Sequence, residues 1–570
     1  MRDNKSINTV NEKPDFEAPE LYGLTLLLAA SAINYVPFAK YKVASDALLY
    51  TLRDRNDITD HPNTTAIPPT YMNNTKDVSM NQVLQSSIQL NPEHKSVSPF
   101  LSFWDYHEAY TQFKTTPTEV ANSLLIKLDQ SKPMNWVRFN CQDIQNQAEA
   151  STERYRLNRP LSQMDGVFVA IKEELDIQGL ETKVGTCFVN DGTPATEDAT
   201  LVLKLRKSGA IIIGSTVMNE LGWDTFTVNP NTGMPKNPYG TVRTCGGSSG
   251  GSGGVVAGGL VPVAIGADGG GSIRIPSAFC GLYGLKTTYA RVSGHGGATV
   301  DPTLGSYGPM AATADDMALT YSIIAGPDPK DTNSLLQPLL HLKDYDNYLD
   351  LSDLTIAITP DWNQSTVEPA ILEQLDFFKS YLQKLGARFV EIEIPDLDIS
   401  AIAHNITICS EMYTFASSHP KKFNSFLAHT RLLSGVASAL ETRDYVRAQQ
   451  VRTRMMNHLR EIFEDQKIDL ILCPTSAILA PEIPEKAHKY GMCNTAMTVQ
   501  TMAYCTLANL TGIPAVTVPA GFHHGIPVAL QFMTSWWNEA LLCRIAKVCE
   551  RAPGVERKRP EHWFAVDELI

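Results

Sequence analysis

Hydrophobic residues recur along the chain at two spacings, which alternate in a way that predicts helices and strands in turn. Thr116-Pro117-Thr118-Glu119 has the threonine cap, the early proline and the glutamate three residues after the cap that begin a helix. The apolar residues that follow fall at helical spacing, at Val120, Leu124, Leu125 and Leu128. The next apolar run, Gly166–Lys172, is continuous up to its final lysine and predicts a strand covered on both faces.

This alternation continues through the rest of the chain. Helices are expected over 197–208, 368–385, 445–464 and 538–551, and strands over 210–213, 354–358, 389–394, 468–473, 515–518 and 528–532. Strands that alternate with helices predict an α/β fold in which helices cover both faces of a large central mixed sheet. Because no linker-like stretch and no repeat interrupts residues 96–570, we expect them to form one large domain.

Residues 1–95 differ from this pattern and are predicted to form an N-terminal extension. Residues 1–20 are polar, and we expect a loose arm there. Residues 54–100 are rich in Asn, Pro, Thr and Ser, and we expect either an irregular segment that wraps the body or a linker into it. Between them, Leu21–Ala39 runs for 19 residues without a charge and predicts an apolar helix. Three alternatives stay open for it: a helix packed on the body of the protein, a helix at a membrane surface or substrate entrance, and a membrane span.

Composition and charge argue against several classes of protein. The chain has 570 residues, a net charge of −13 and no basic run, so we do not expect it to bind nucleic acid through phosphate contacts. Its ten cysteines form no CxxC pair and no His/Cys ligand spacing, which argues against a zinc site or a disulfide scaffold and favours the cytoplasm. The chain also has no G-x4-G-K-[ST] phosphate loop, and we expect no cofactor and no metal.

Two clusters of glycine and serine occur between Cys245 and Lys286. The clusters, Gly246–Gly254 and Gly269–Ser272, enclose an apolar run, Val255–Ile265, which a flexible linker would not contain. We interpret the run as a buried strand that ends in a tight loop presenting one serine. Glycine allows the close approach and the positive φ that such a loop needs.

The same stretch resembles a known family. The sequence GGSSGG from Gly246 and the sequence GADGGGSIRIPS from Gly266 are similar to the motifs of the amidase signature hydrolases. The residues that flank these motifs are most similar to those of the plant-type fatty acid amide hydrolases. The resemblance covers residues 100–555, implies the amidase-signature fold, and departs from the commoner Gly-Thr-Asp at Ala267.

The resemblance implies a catalytic triad of Lys172, at the end of its apolar strand, a bridging Ser248 and a nucleophilic Ser272. A serine hydroxyl is a weak nucleophile until a base removes its proton, and a lysine can do so only in its neutral form, which burial favours. The implied relay passes a proton from Ser272 to Ser248 and from Ser248 to Lys172, and Ser248 later protonates the leaving amine. In the family the peptide bond before the bridging serine, here Gly247–Ser248, is cis.

Further residues are assigned to the site around this triad. Four backbone N–H groups are expected to bind the oxyanion, because glycines leave their amides accessible: those of Gly269, Gly270, Gly271 and Ser272. Ser249 is expected to orient Ser248, and Thr225 falls where the plant-type relatives line the acyl pocket. Asp268 and Arg274 are expected to be a structural pair that braces the loop.

These residues predict a serine hydrolase that cleaves linear amides, with fatty acyl amides such as N-acylethanolamines or primary fatty amides as the preferred substrates. The alternatives are a small-amide or carbamate hydrolase with the same triad, an amidase like the ammonia-releasing chain of glutamyl-tRNA amidotransferase, and a catalytically inactive binding protein. The expected partner is a small-molecule acyl amide. We also expect a homodimer, a cytoplasmic location, and peripheral membrane contact through residues 21–39.

Overall fold

A large mixed sheet lies at the centre of the protein. The structure is a computed structural model, and it describes residues 20–36, 38–68, 71, 90–95, 98–342, 344–362 and 366–570. The strands, in chain order, are β1 Leu21–Tyr22, β2 Val137–Phe139, β3 Phe168–Lys172, β4 Ile211–Thr216, β5 Lys236–Asn237, β6 Gly240–Thr244, β7 Val263–Asp268, β8 Tyr283–Lys286, β9 Ser306–Ala311, β10 Thr355–Ile358, β11 Arg388–Glu391, β12 Leu470–Pro474, β13 Met492–Cys493, β14 Ala515–His523 and β15 Ile526–Met533.

Helices flank the sheet and fill the segments between its strands. In chain order they are α1 Gly23–Tyr35, α2 Ala39–Asp46, α3 Phe103–Thr111, α4 Pro117–Gln130, α5 Cys141–Arg156, α6 Thr200–Lys207, α7 Gly250–Ala257, α8 Arg274–Phe279, α9 Ala314–Ile324, α10 Pro369–Lys384, α11 Leu397–Ser417, α12 Ala428–Ala437, α13 Thr442–Arg460, α14 Ala487–Tyr490, α15 Thr495–Met502, α16 Thr506–Thr511 and α17 Glu539–Glu550.

Eleven strands form the central sheet, in the order β11-β10-β12-β15-β14-β8-β9-β7-β3-β4-β2. β3 pairs in parallel with β4 and β7, and β10 pairs in parallel with β11 and β12, whereas the other neighbours are antiparallel. Every residue of β3, β4 and β7 is buried, as expected for strands covered on both faces. The predicted α/β class and the mixed sheet flanked by helices are confirmed.

The helix predicted after Thr116 begins where its sequence indicates. The Thr116 side chain accepts a hydrogen bond from the Glu119 N–H, and the Glu119 carboxylate accepts one of 2.9 Å from the Thr116 N–H. These two bonds satisfy N–H groups that have no partner within the helix. Three of the apolar residues at helical spacing, Val120, Leu124 and Leu128, are buried.

The apolar run Val255–Ile265 is not one strand, and this part of our interpretation is wrong. Val255–Ala257 is the end of helix α7, and the strand β7 begins only at Val263. Glycine disfavours helices, yet α7 forms because its glycines let it pack closely on its neighbours. A Cβ on Gly251 would lie 2.5 Å from the backbone nitrogen of Val217, so close packing requires glycine here.

The apolar segment near the N-terminus is also shorter as a helix than predicted. Leu21 and Tyr22 form β1, which pairs with β13, and α1 ends at Tyr35 rather than at Ala39. Val36 is extended, with φ −92° and ψ 119°, because a residue before proline disfavours the helical conformation. α2 follows at an angle of 113° to α1.

These first helices lie against the body of the protein. Ile33 of α1 is buried, and the Asn34 side chain donates a hydrogen bond of 3.1 Å to the Arg431 carbonyl oxygen of α12. None of the described helices is by itself long and apolar enough to cross a membrane, although α1 and α2 together have the necessary composition. The predicted loose arm at 1–19, and residues 69–70, 72–89 and 96–97 of the predicted irregular segment, lie outside the described residues.

Candidate active site

The three side chains of the predicted triad come from three segments at one edge of the sheet. Lys172 is the last residue of β3, and Val169–Ile171 pair in parallel with Val263–Ile265 of β7. Because parallel strands end at the same edge, the loop after β7, which carries Ser272, begins beside Lys172. Ser248 lies in the turn just before α7.

The structure brings these three residues into one hydrogen-bonded group. Lys172 Nζ donates a hydrogen bond of 2.7 Å to Ser248 Oγ, and the Ser248 backbone N–H donates one of 3.1 Å to Ser272 Oγ. Lys172, Ser248 and Ser272 are 1%, 2% and 8% exposed. Among the described contacts, no hydrogen bond joins the two serine hydroxyls. The catalytic roles of the three residues stay a prediction that this arrangement supports.

Glu174 completes the surroundings of the lysine, and our sequence analysis did not find it. Its Oε2 lies 2.9 Å from Lys172 Nζ, and both side chains are almost completely buried. A buried charge needs a nearby opposite charge, so the carboxylate can balance a protonated Lys172. The only signal in the sequence was its position two residues after the lysine, within a pair of glutamates.

The turn that presents Ser248 depends on Gly246 and Gly247, both at positive φ. The Gly247 N–H donates a hydrogen bond of 2.7 Å to the Thr225 carbonyl oxygen, which fixes the residue before Ser248. The Gly247–Ser248 bond is trans, as are all peptide bonds in the described chain, so the expected cis bond is not observed. The Thr225 hydroxyl has no hydrogen-bond partner among the described residues, and Thr225 is not among the residues that line the cavity in front of the serines.

Ser249 contacts a neighbouring strand rather than the hydroxyl of Ser248. Its Oγ donates to the Ala267 carbonyl oxygen at 3.3 Å and lies 3.4 Å from the Ala267 nitrogen. The same carbonyl oxygen is 3.4 Å from Lys172 Nζ. Ser249 therefore ties the Ser248 turn to the end of β7, next to the lysine.

The loop that carries Ser272 is braced by a buried ion pair. Arg274 donates two hydrogen bonds of 3.0 Å to the Asp268 carboxylate, and Asn509 donates one of 2.7 Å to the Asp268 carbonyl oxygen. Burial alone would raise the pKa of Asp268, but the Arg274 charge outweighs burial and holds that pKa well below its usual range. The predicted structural pair of Asp268 and Arg274 is confirmed.

The same loop restricts which backbone groups are available to an oxyanion. The Gly271 N–H donates a hydrogen bond of 2.7 Å to Asp268 Oδ1, so this donor is already used. Gly269, Gly270 and Ser272 line the cavity, and their N–H groups donate to no group in the described chain. Of the four amides expected to bind the oxyanion, three therefore remain available: those of Gly269, Gly270 and Ser272.

A cavity lies in front of the two serines. Its apolar wall is formed by Leu221, Val300, Ile408 and Met412. Asp301 stands on the polar side; burial and the nearby charges of Glu174 and Glu411 raise the pKa of its carboxyl group well above the usual range. No motif in the sequence indicated Asp301 or the α11 residues, because only the tertiary fold brings them to the loop.

Comparison with known proteins assigns the family. The family model described as Amidase matches residues 119–543, which is more than half of the chain. The fatty acid amide hydrolase of Oryza sativa subsp. indica is 36% identical over 483 residues, which cover 82% of this chain and 79% of the relative. The fatty acid amide hydrolase of Arabidopsis thaliana is 35% identical over 466 residues, which cover 80% of this chain and 76% of the relative.

A solved structure agrees with these matches. It comes from a vestigial protein complex that reveals the evolutionary origins of an s-triazine catabolic enzyme, and it superposes with a TM-score of 0.71 at 27% identity. The match covers 80% of this chain and 99% of that one. The residues matched by the family model include Lys172, Ser248 and Ser272, which the fold places together in one cavity. The chain therefore belongs to the amidase family and is an amide-hydrolysing enzyme.

Proposed function

We propose that the enzyme hydrolyses linear amides of fatty acids through a Ser-Ser-Lys triad and an acyl-enzyme intermediate. The observation that carries this proposal is the chain of contacts in the cavity: Lys172 Nζ lies 2.7 Å from Ser248 Oγ, and the Ser248 N–H lies 3.1 Å from Ser272 Oγ. A buried amine next to one hydroxyl, with a second hydroxyl beside it, is an arrangement that can activate a serine without a histidine.

In the proposed reaction, Ser272 Oγ attacks the acyl carbon while its proton passes to Ser248 and the Ser248 proton passes to Lys172. Glu174, 2.9 Å from Lys172 Nζ, balances the ammonium that forms. The relay then runs in reverse, Ser248 protonates the leaving amine, and the C–N bond breaks. A water molecule releases the fatty acid from Ser272 by the same proton steps.

The proposed oxyanion donors are the N–H groups of Gly269, Gly270 and Ser272. They line the cavity together with the two serines, and Asp268 engages the fourth amide of the loop. Removing one such donor in other hydrolases lowers the rate roughly 100- to 1,000-fold. We therefore assign this loop most of the electrostatic stabilisation of the transition state.

The acyl preference follows from the wall of the cavity and from the relatives. The cavity side formed by Leu221, Ile408 and Met412 is apolar, as a hydrocarbon chain requires. The two plant relatives at 35–36% identity are fatty acid amide hydrolases. Thr225 is not part of this wall, and its carbonyl oxygen instead accepts the hydrogen bond that holds Gly247 in place.

A second part of the proposal is peripheral membrane contact by a cytoplasmic enzyme. Leu24, Leu28 and Phe38, on and between α1 and α2, are 68%, 70% and 78% exposed. A monomeric protein seldom exposes several large apolar side chains so close together, and Lys40 and Lys42 beside them would favour an anionic lipid surface.

A homodimer, and the boundary between the extension and the catalytic domain at residue 95, stay predictions that sedimentation equilibrium and limited proteolysis test.

The proposal is tested with the purified protein and the Ser272→Ala variant. We expect the wild type to hydrolyse oleamide and N-oleoylethanolamine faster than acetamide or a small carbamate, and to be labelled by a fluorophosphonate probe. Ser272→Ala should lose labelling and at least about 10⁴-fold of kcat. Ser322→Ala is the control, because the Ser322 hydroxyl is buried and donates to the Leu319 carbonyl oxygen within α9. Labelling of Ser272→Ala at the wild-type rate would refute the assigned nucleophile, and faster acetamide hydrolysis would refute the acyl preference.

A further inference from the structure

We propose that His404 is a positioning residue that directs one oxyanion donor into the cavity. His404 lies on α11, is completely buried, and has its Nε2 2.8 Å from the Gly269 carbonyl oxygen. Gly269 begins the loop before Ser272. The inference rests on the proposed function, since it takes Ser272 as the nucleophile and this loop as the oxyanion site.

The direction of this hydrogen bond follows from its two partners. A carbonyl oxygen can only accept, so Nε2 carries the proton and donates it. Nδ1 of the same ring has no hydrogen-bond partner in the described part of the chain, as fits a neutral ring with a single N–H. Burial lowers the pKa of His404 to about 4, which keeps the ring neutral at neutral pH.

The hydrogen bond sets the orientation of the next peptide unit. A planar trans peptide directs its C=O and N–H to opposite sides, and the Gly269–Gly270 bond is trans. Holding the Gly269 oxygen against His404 therefore turns the Gly270 N–H away from His404. Gly270 lines the cavity with Ser272, and its N–H donates to no group among the described residues.

Packing around Gly270 fixes the position of the residue but does not fix the rotation of its peptide plane. A Cβ on Gly270 would lie 2.7 Å from Met502 Cε and 3.2 Å from His404 Cε1, so the residue is enclosed by two side chains. Glycine has no side chain that could resist rotation of the peptide plane. The His404 bond supplies that restraint, which matters because an oxyanion donor is effective only when it is oriented before the reaction.

The test compares three variants of the full-length enzyme on N-oleoylethanolamine. His404→Leu and His404→Met keep an apolar side chain in the buried site and remove the N–H, whereas His404→Gln keeps an N–H that can reach the Gly269 oxygen. We expect kcat to fall about 10- to 100-fold in the Leu and Met variants, with KM changed less than about threefold, because a misdirected donor weakens the transition state alone. His404→Gln should recover most of the lost kcat.

An inhibitor supplies a readout that a purely structural role would not change. An oleoyl trifluoromethyl ketone forms a tetrahedral oxyanion on the serine, so its inhibition constant should rise in the Leu and Met variants by the same factor as kcat/KM falls. Ser410→Ala is the control on the same helix, because among the described residues the Ser410 hydroxyl bonds only to the Ile406 carbonyl oxygen. This control should behave as the wild type in every assay.

Several outcomes would overturn the inference. Unchanged kcat in a folded Leu or Met variant, equal losses in the Gln and Leu variants, or a raised KM at unchanged kcat each contradicts it. Unfolding of all three variants contradicts it as well, because His404 would then act only in stability. If the wild type hydrolyses no fatty amide, the proposed function fails; the fluorophosphonate labelling rates of the same variants still test His404, because the phosphoryl oxygen occupies the oxyanion position.

Discussion

The loop around Ser272 buries charged side chains, whereas the helix pair α1–α2 exposes apolar ones. In the loop, Asp268 and Arg274 are completely buried and hydrogen-bonded to each other. In the helix pair, apolar side chains as large as Leu28 and Phe38 remain 70% and 78% exposed. The Ser272 loop thus relies on buried polar hydrogen bonds for its geometry, whereas the helix pair leaves large apolar side chains exposed.

The largest effect should come from Lys172→Met, which removes the proposed base and keeps the bulk of the side chain. We expect kcat/KM to fall about 10⁴-fold in a folded but less stable protein, because Glu174 loses its buried partner; steady-state kinetics and circular dichroism measure the two effects. Lys204→Met is the control, since Lys204 is a buried lysine that donates to the carbonyl oxygens of Ile324 and Ala325. It should lower stability and leave kcat unchanged, and a Lys172→Met enzyme with a tenth of the wild-type activity would contradict the proposed role.

The next largest effect should come from breaking the Asp268–Arg274 ion pair that braces the Ser272 loop. Asp268→Asn leaves the Arg274 charge buried without its partner and should reduce the free energy of unfolding by about 3–5 kcal/mol, measured by urea titration. In contrast, Glu482→Gln removes an exposed partner of Arg243, 3.0 Å away, and should cost less than about 1 kcal/mol. Equal losses in the two variants would mean that burial of the ion pair does not matter.

The contribution of His404 and His429 to stability should fall in mild acid, because burial lowers the pKa of both side chains to about 4. The unfolded chain, with an ordinary histidine pKa of about 6.5, binds these protons first. The stabilisation is therefore complete above pH 6.5 and is lost toward pH 4, by roughly 2–3 kcal/mol per histidine at pH 4.5. Urea titrations of the wild type and of a His404→Gln/His429→Gln variant at pH 7 and 4.5 measure this loss as the difference between them, and the same change of stability with pH in both would contradict it.

A smaller effect is expected from one methyl group in the loop. In Gly269→Ala the new Cβ would overlap the Asp301 carboxylate, so the loop must shift and kcat should fall about 10- to 30-fold. Gly240→Ala is the control, because the atoms nearest to its new Cβ would belong to the flexible Arg243 side chain, at 3.4 Å and beyond. Full activity of Gly269→Ala would show that the loop tolerates displacement.

The smallest effect on stability should be found in α1. Leu28→Ser changes an exposed residue and should alter the free energy of unfolding by less than about 0.5 kcal/mol, while several-fold less protein sediments with anionic vesicles. Leu26→Ser, two residues away at a completely buried position, should instead destabilise the protein by about 2–4 kcal/mol. Unchanged vesicle binding in Leu28→Ser would separate the exposed patch from membrane contact.

The sequence correctly predicted those helices and strands whose signals lie within a few neighbouring residues. The cap at Thr116 and the apolar run that ends at Lys172 each contain their own physical reason to form, and both are found where expected. The run Val255–Ile265 failed as a prediction because periodicity cannot separate a buried helix from a buried strand. Close contacts of α7 with its neighbours decided that case.

Around the predicted triad, the sequence indicated only those residues that lie within recognisable motifs. Ser248 and Ser272 stand in glycine-rich motifs, whereas Glu174, Asp301 and His404 have no local pattern that indicates a site. His404 meets Gly269 across 135 residues of chain, a contact that only the tertiary fold creates. The loss of the Gly271 amide to Asp268 was equally hidden, because composition does not show which N–H groups are already bonded.

The brace of the Ser272 loop has a consequence for the time at which activity can appear during synthesis. Arg274 also donates to the Gln531 side chain of β15, 257 residues later in the chain. At about 5–20 residues per second, a ribosome needs roughly 10–50 s to add that stretch. A nascent chain that already holds Lys172, Ser248 and Ser272 therefore still lacks β15, whose Gln531 accepts a hydrogen bond from Arg274 in the Ser272 loop.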